Sequence, residues 1–212
     1  MSHSENLRFL FLNGKGSSGK DTQAEIVTEE LPYAVRLSTG EIYRSAATAT
    51  GPYARFHDRI APYIEHVDNG GYVPDPVMLP IVKEIIEEEI SHGKQMFVFT
   101  GFPRTLGQLN GVDKMVEELS INNSTSITHL YFAVLDINSK QRASSRRDQA
   151  LAAGTPIRRD DRPEILDNRL STFKTQTLPM LRQLVKEKRL CIIRANTDID
   201  SVSDRLFLVI NA

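Results

Sequence analysis

Two periods of apolar and polar residues follow one another along this chain. Mostly apolar runs of four to six residues at 7–12, 34–37, 96–99, 130–134 and 190–193 are too short for helices and read as buried strands. Between them lie stretches with helical spacing, beginning at Ala24, after Ser38 or Thr39, across residues 46–67 and across residues 78–90. Ser38 or Thr39 caps the second of these, with Glu41 in its first turn. Such alternation predicts an α/β fold, a five-stranded parallel sheet flanked by helices on both faces. Residues 46–90 depart from the alternation and form a small helical insertion, the kind of element that often covers a site. Residues 68–76, 121–126 and 154–163 read as loops, and no repeat or low-complexity stretch appears.

The chemistry concentrates where strands end. The first apolar run leads into Gly14-Lys15-Gly16-Ser17-Ser18-Gly19-Lys20, followed by Asp21, Thr22 and a helical pattern. Strand, glycine-rich loop and helix in this order suit a polyphosphate. Glycines let backbone N–H groups turn inward, the helix N-terminus adds partial positive charge, and Lys20 adds a full one. Past the second strand, Gly40 and Arg44 stand one helical turn apart, beyond what a plain cap requires. Arg104 lies behind Gly101-Phe102-Pro103 at the end of the third strand, where open α/β sheets bind ligands. Seven arginines (142, 146, 147, 158, 159, 162 and 169) fall within 28 residues. Arg142 and Arg146, at i and i+4, would repel one another on a helix, so an anionic partner or carboxylates such as Asp160 and Asp161 should compensate. Alone, this pattern reads equally as a solvated charged helix.

The 212 residues suit one α/β domain with insertions, or two small domains, with 40% hydrophobic and 25% charged residues, as in ordinary globular chains. A net charge of −1 implies no general attraction to nucleic acid or to a membrane. No run of about 18 apolar residues is present. MSHSENLRFL enters the first strand without a charged-then-apolar leader, so the expectation is a cytoplasmic protein. Cys191, the single cysteine, excludes an internal disulfide and a cysteine-based zinc site, and its strand-like setting predicts a small buried thiol. The five histidines lack H-x-x-x-H or H-E-x-x-H spacing and read as surface or packing residues.

Five stretches, GKGSSGKDTQ (14–23), LSTGEIYR (37–44), YVPD (72–75), GFPRTLGQ (101–108) and RRDDRPEILDNRL (158–170), together resemble the adenylate kinases, within the nucleoside monophosphate kinases of the P-loop fold. They stand in that family's order over about residues 7–210. The resemblance implies reversible phosphoryl transfer between ATP and AMP, with ADP as product and magnesium as cofactor, in a monomer. It implies a core of about residues 1–38, 76–147 and 162–212, a monophosphate-binding insertion at 39–75 and a short lid at 148–161. By position, Gly14 to Thr22 would hold the donor phosphates, with Lys20 on the transferring group and Arg142 beside the donor. Thr39, Gly40, Arg44, Gly101, Arg104 and Gln108 would hold the monophosphate, with Val73 beside its base. Arg142, Arg146, Arg158 and Arg169 would close over the phosphates, the last two on the AMP side, and Asp160 and Asp161 match the lid hinge. Thr39 with Thr105 and Gln108 is the pattern for AMP, since an amide pairs with an adenine edge through donor and acceptor together. Ten residues separate Arg147 from Arg158 and none is cysteine, which describes a short lid without zinc.

Two positions depart from the family pattern. Thr100 stands where an aspartate that helps hold hydrated magnesium is usual before Gly-Phe-Pro-Arg, and Asp21 follows Lys20 where glycine is usual. Either Asp21 replaces the missing carboxylate as a magnesium ligand, or it merely suits the first turn of a helix and points away. Two further readings stay open: a kinase for another monophosphate, and a nucleotide-sensing protein with an impaired site.

Overall fold

The computed structural model describes residues 6–157 and 161–211. Its strands are β1 Asn6–Asn13, β2 Ala34–Ser38, β3 Met96–Thr100, β4 Ser124–Ala133 and β5 Leu190–Arg194, joined in one sheet in the order β2–β3–β1–β4–β5. Every pairing is parallel, with Leu12 opposite Thr100, Ser38 opposite Thr100 and Asn13 opposite Tyr131. That register puts the C-terminal ends of four strands side by side. The helices are α1 Lys20–Glu30, α2 Thr39–Ala47, α3 His57–Ile60, α4 Ile64–Asp68, α5 Asp75–Ser91, α6 Leu106–Ser120, α7 Asp136–Ala152, α8 Pro163–Thr172, α9 Leu178–Lys186 and α10 Ile199–Ile210. A π-helical turn, Phe173–Thr177, joins α8 to α9.

Residues two apart in β1 serve opposite cores from those between them. Phe9 stacks on Phe97 (centroids 5.2 Å apart) and Phe11 on Phe99 (4.9 Å), over Ile81 and Ile85 of α5 and Val112 of α6. Leu10 and Leu12 face the other way, with Val27 of α1 and Val202 and Leu206 of α10. Each stacked ring pair contributes about 0.5–1.5 kcal/mol beyond its buried area.

Three expectations change. β4 begins at Ser124, inside the stretch read as a loop, because Ser124, Thr125 and Ser126 find backbone partners opposite Asn6, Leu7 and Arg8. A ladder of backbone hydrogen bonds needs no apolar side chain to extend it. Residues 46–67 are not one helix: after α2 the chain turns at Ala49 and Gly51, both with positive φ, and then proceeds in 3-10 and short α segments. Pro52 and Pro62 lack the N–H a continuous helix needs. Cys191 is exposed, not buried. β5 is an outer strand bonded to β4 alone, and of its residues only Ile193 is buried.

His129 of β4 is a packing histidine. It stacks on Phe11 at 4.9 Å and is 1% exposed, and neither ring nitrogen has a hydrogen-bond partner. Burial, reinforced by the charge of Arg189 and opposed by Asp113 and Glu187, pushes its pKa from 6.5 down to about 4. The unfolded chain therefore takes up this proton more readily than the folded one. The stability tied to His129 is complete above pH 6.5 and falls as pH drops through 4, by about 3 kcal/mol in all. Urea denaturation of wild type and His129→Leu at pH 7 and 4.5 checks this: the variant should lose about 2 kcal/mol less over that interval. Equal acid losses in the two proteins would contradict it.

Candidate active site

The loop after β1 closes tightly. A Cβ on Gly14 would stand 2.6 Å from Ser18 Oγ and 3.2 Å from the Phe132 carbonyl, and Gly19, at φ 90°, turns the chain into α1. Lys20 opens α1 and its ammonium reaches back to the Lys15 carbonyl at 3.4 Å. Burial lowers its pKa, with Arg104 and Arg169 acting the same way and Asp21 opposing. Lys15 presents its backbone to the loop, while its ammonium is bonded to the Val134 carbonyl (3.0 Å) and to Asp136. Asp136 also receives Lys174 at 3.1 Å, and the hydrogen bonds from Lys15 and then Lys174 hold its carboxyl below the usual range.

Asp21 does not point away. Its Oδ1 accepts the Thr100 hydroxyl at 2.7 Å and its Oδ2 lies 3.5 Å from Lys20 Nζ. The two positions that depart from the family pattern are thus in contact, and the carboxylate stands half-exposed beside the end of β3.

An open pocket of about 770 Å³ is lined by Thr39, Arg44, Val73, Arg104, Gln108 and Arg169, among others. Ser38 caps α2, as its side chain accepts from Glu41 N, and α2 then carries Thr39, Gly40 and Arg44 into the pocket. Thr39 Oγ1 donates to the Gly101 carbonyl at 2.7 Å and receives Arg104 Nη2 at 3.2 Å. The Arg104 guanidinium lies over the Tyr72 ring, 4.8 Å from its centroid, and the Tyr72 hydroxyl meets Thr177 Oγ1 at 3.0 Å. A Cβ on Gly101, at φ 72°, would stand 2.4 Å from Arg104 Nη2, so the arginine can lie flat there only over glycine. Gln108 Oε1 accepts the Arg104 N–H at 2.8 Å, which leaves its NH₂ for another partner. Thr105 caps α6 by accepting the Gln108 N–H at 3.0 Å and donates to Asp75 at 2.8 Å.

A second open pocket, of about 750 Å³, lies beyond the loop between Ser17, Gly19, Thr22, Arg142, Arg146 and Asp198. Arg142 donates to the Ala195 carbonyl at 2.8 Å. Arg146 is bonded through Nε to Asp161 Oδ2 at 2.7 Å, with Nη2 on the other carboxylate oxygen. Asp161 is buried and serves as a compensating carboxylate for Arg146. Arg169 lines the first pocket and, with Lys20, Asp21, Thr100, Arg104 and Arg146, another pocket that shares Arg44 and Arg104 with the first. Arg158 and Asp160 lie outside the described residues. Three contributors escaped the sequence reading: Tyr72, Asp136 and the Ser17–Arg146 contact. Tyr72 stood inside a quoted motif and Asp136 directly after a strand, so position could have flagged both. No helix among the described residues is long and apolar enough to cross a membrane, and none of their His, Cys, Asp and Glu side chains form a cluster of three able to hold a metal.

Compared with known families, the chain matches the adenylate kinase family over residues 12–189. Among curated proteins it is 35% identical over 173 residues to an adenylate kinase of Methylorubrum populi, covering 81% of this chain and 80% of that one. It is 30% identical over 204 residues to an adenylate kinase of Beijerinckia indica, covering 96% and 99%. An adenylate kinase of Nitrobacter hamburgensis is 29% identical over 202 residues, covering 95% and 91%.

The Thr105 cap links α5 and α6 through one hydroxyl. Thr105→Ala should cost about 1–2 kcal/mol in urea denaturation, the worth of a helix cap with a second hydrogen bond. A cost below about 0.3 kcal/mol would contradict this account of α6.

Proposed function

This chain belongs to the adenylate kinase family, and on that premise we propose how its own residues divide the work of that family's reaction. The protein is a phosphotransferase that catalyses reversible phosphoryl transfer from ATP to AMP, giving two ADP. An AMP phosphate oxygen attacks the terminal phosphorus of ATP, the bond from that phosphorus to the bridging oxygen breaks, and both products leave as ADP. Such a transfer needs in-line placement and charge neutralisation more than a base.

The loop Gly14–Thr22 cradles the donor phosphates through its backbone, Lys20 neutralises the transferring group, and Arg142 flanks the donor. Thr39, Gly40, Arg44, Gly101, Arg104 and Gln108 hold AMP, with Val73 beside its base and the Gln108 NH₂ offered to the adenine ring. Arg146, Arg158 and Arg169 close over the phosphates, and Asp160 with Asp161 forms the base of a short lid at 148–161. The rest of the chain is core, apart from a monophosphate-binding insertion at 39–75. The observation that supports this division is one pocket whose lining brings together Lys20, Arg104, Arg146 and Arg169. The enzyme works as a monomer in this proposal, as the resemblance to adenylate kinases implies. Its place is the cytoplasm, where an exposed lone thiol such as Cys191 stays reduced.

Enzymes of this family act on ATP with magnesium. The residues here fit that ion: a half-exposed carboxylate, oriented by the Thr100 hydroxyl and beside Lys20, is the hard oxygen donor magnesium prefers. Asp21 would hold it, and the bound ion supplies neutralisation of the donor's negative charge. The contact with Thr100 favours this reading over an impaired, sensing protein, since it sets a carboxylate against the end of β3.

Purified enzyme should form ADP from ATP and AMP only with magnesium. Asp21→Gly should lower magnesium-dependent turnover by about a hundredfold while AMP affinity changes less than about twofold. Equal losses in the two would remove Asp21 from the metal.

A further inference from the structure

Three described residues other than glycine have positive φ: Ser17, Ala49 and Lys188. Ala49 and Lys188 each come one residue after a helix C-cap, at Thr48 and Glu187, where a left-handed residue ends a helix in the ordinary way. Ser17 ends no helix. At φ 57° it stands inside the phosphate loop, between Gly16 and Ser18, in a conformation that glycine adopts freely and an L-residue does not. A side chain is kept there against the preference of the backbone.

Among the described residues that side chain has one hydrogen-bond partner. Ser17 Oγ accepts Arg146 Nη2 at 3.1 Å, the same nitrogen that donates to Asp161. The contact belongs to a row along α7. Ser139 Oγ donates to the Gly16 carbonyl at 2.6 Å, Arg142 Nη1 to the Ser17 carbonyl at 3.5 Å, and Arg146 to the Ser17 hydroxyl. Residues 139, 142 and 146 share one face of the helix, so α7 grips the loop at consecutive turns. Of the three contacts only the last requires a side chain on the loop. Glycine at position 17 would keep the other two and relax the backbone.

We infer that Ser17 is a positioning residue: its hydroxyl, bought with backbone strain, fixes Arg146 at the rim of the phosphate loop before nucleotide arrives. Held between Ser17 and Asp161, the guanidinium is oriented in advance towards the charge that develops on the transferring group. Strain of this kind persists where surrounding structure over-determines it, and here α7 supplies the three contacts that do so. The inference rests on the role assigned to Arg146 above.

Ser17→Gly and Ser17→Ala separate strain from tether. Ser17→Gly, measured without nucleotide, should raise Tm by about 2–4 °C, whereas Ser17→Ala should not. Both should lower kcat about five- to tenfold, the loss of one hydrogen bond to a charged group, with the KM for AMP within twofold of wild type. In an Arg146→Ala background, either change at position 17 should lower kcat no further. A Ser17→Gly enzyme with unchanged kcat, or one with a lower Tm, would overturn the inference. So would an equal further loss in the Arg146→Ala background, since Ser17 would then act by another route. If Arg146→Ala alone leaves kcat unchanged, the assignment of Arg146 fails and the inference falls with it; a lowered kcat in Arg146→Ala beside an unchanged kcat in Ser17→Gly overturns the inference alone.

Discussion

The pairing of β1 with β3 on one side and β4 on the other is the interaction on which the rest of this structure depends. Its register brings Asn13, Thr100 and Ala133 to one edge of the sheet, so that loops far apart in sequence open onto the same few ångströms. The aromatic stacks Phe9–Phe97 and Phe11–Phe99 lock this register, since a slip of one residue would turn every ring to the opposite face. The phosphate loop, Thr100 and the α7 arginines owe their positions to it.

A cleft built for polyphosphate gathers cations that repel one another until the ligand arrives. The protein meets this with carboxylates and carbonyls already in place. Asp136 takes Lys15 and Lys174, Asp161 takes Arg146, and the Ala195 carbonyl takes an Arg142 nitrogen. Lys20 is left less evenly matched: burial and two neighbouring arginines work against its proton, with only Asp21 in its favour.

Much of this was legible in the sequence because the signals were local. Apolar runs marked all five strands, and glycine spacing with Lys20 marked the loop. Ser38 announced its helix, and Arg104 lay where the end of β3 required it. Features set by distant partners were not legible. The polar start of β4 depends on backbone groups of Asn6–Arg8, and the exposure of Cys191 depends on which strand is outermost. Nothing at position 17 reveals a positive φ, and nothing near Tyr72 reveals Thr177 a hundred residues away. Asp21 lies between these cases. The sequence showed that two departures existed, while only the fold could bring them to 2.7 Å.

That contact makes the central claim one about chemistry moved, not lost: the carboxylate usual at the strand end stands instead on the helix across from it. Exchanging the two positions tests this most directly, using manganese as a paramagnetic substitute for magnesium. Electron paramagnetic resonance would report manganese bound with ATP to wild type, Asp21→Gly and Asp21→Gly/Thr100→Asp. The account predicts weaker binding in the single variant and restored binding in the double one, because the carboxylate returns to the cleft from the other side. Binding unchanged in Asp21→Gly would contradict it.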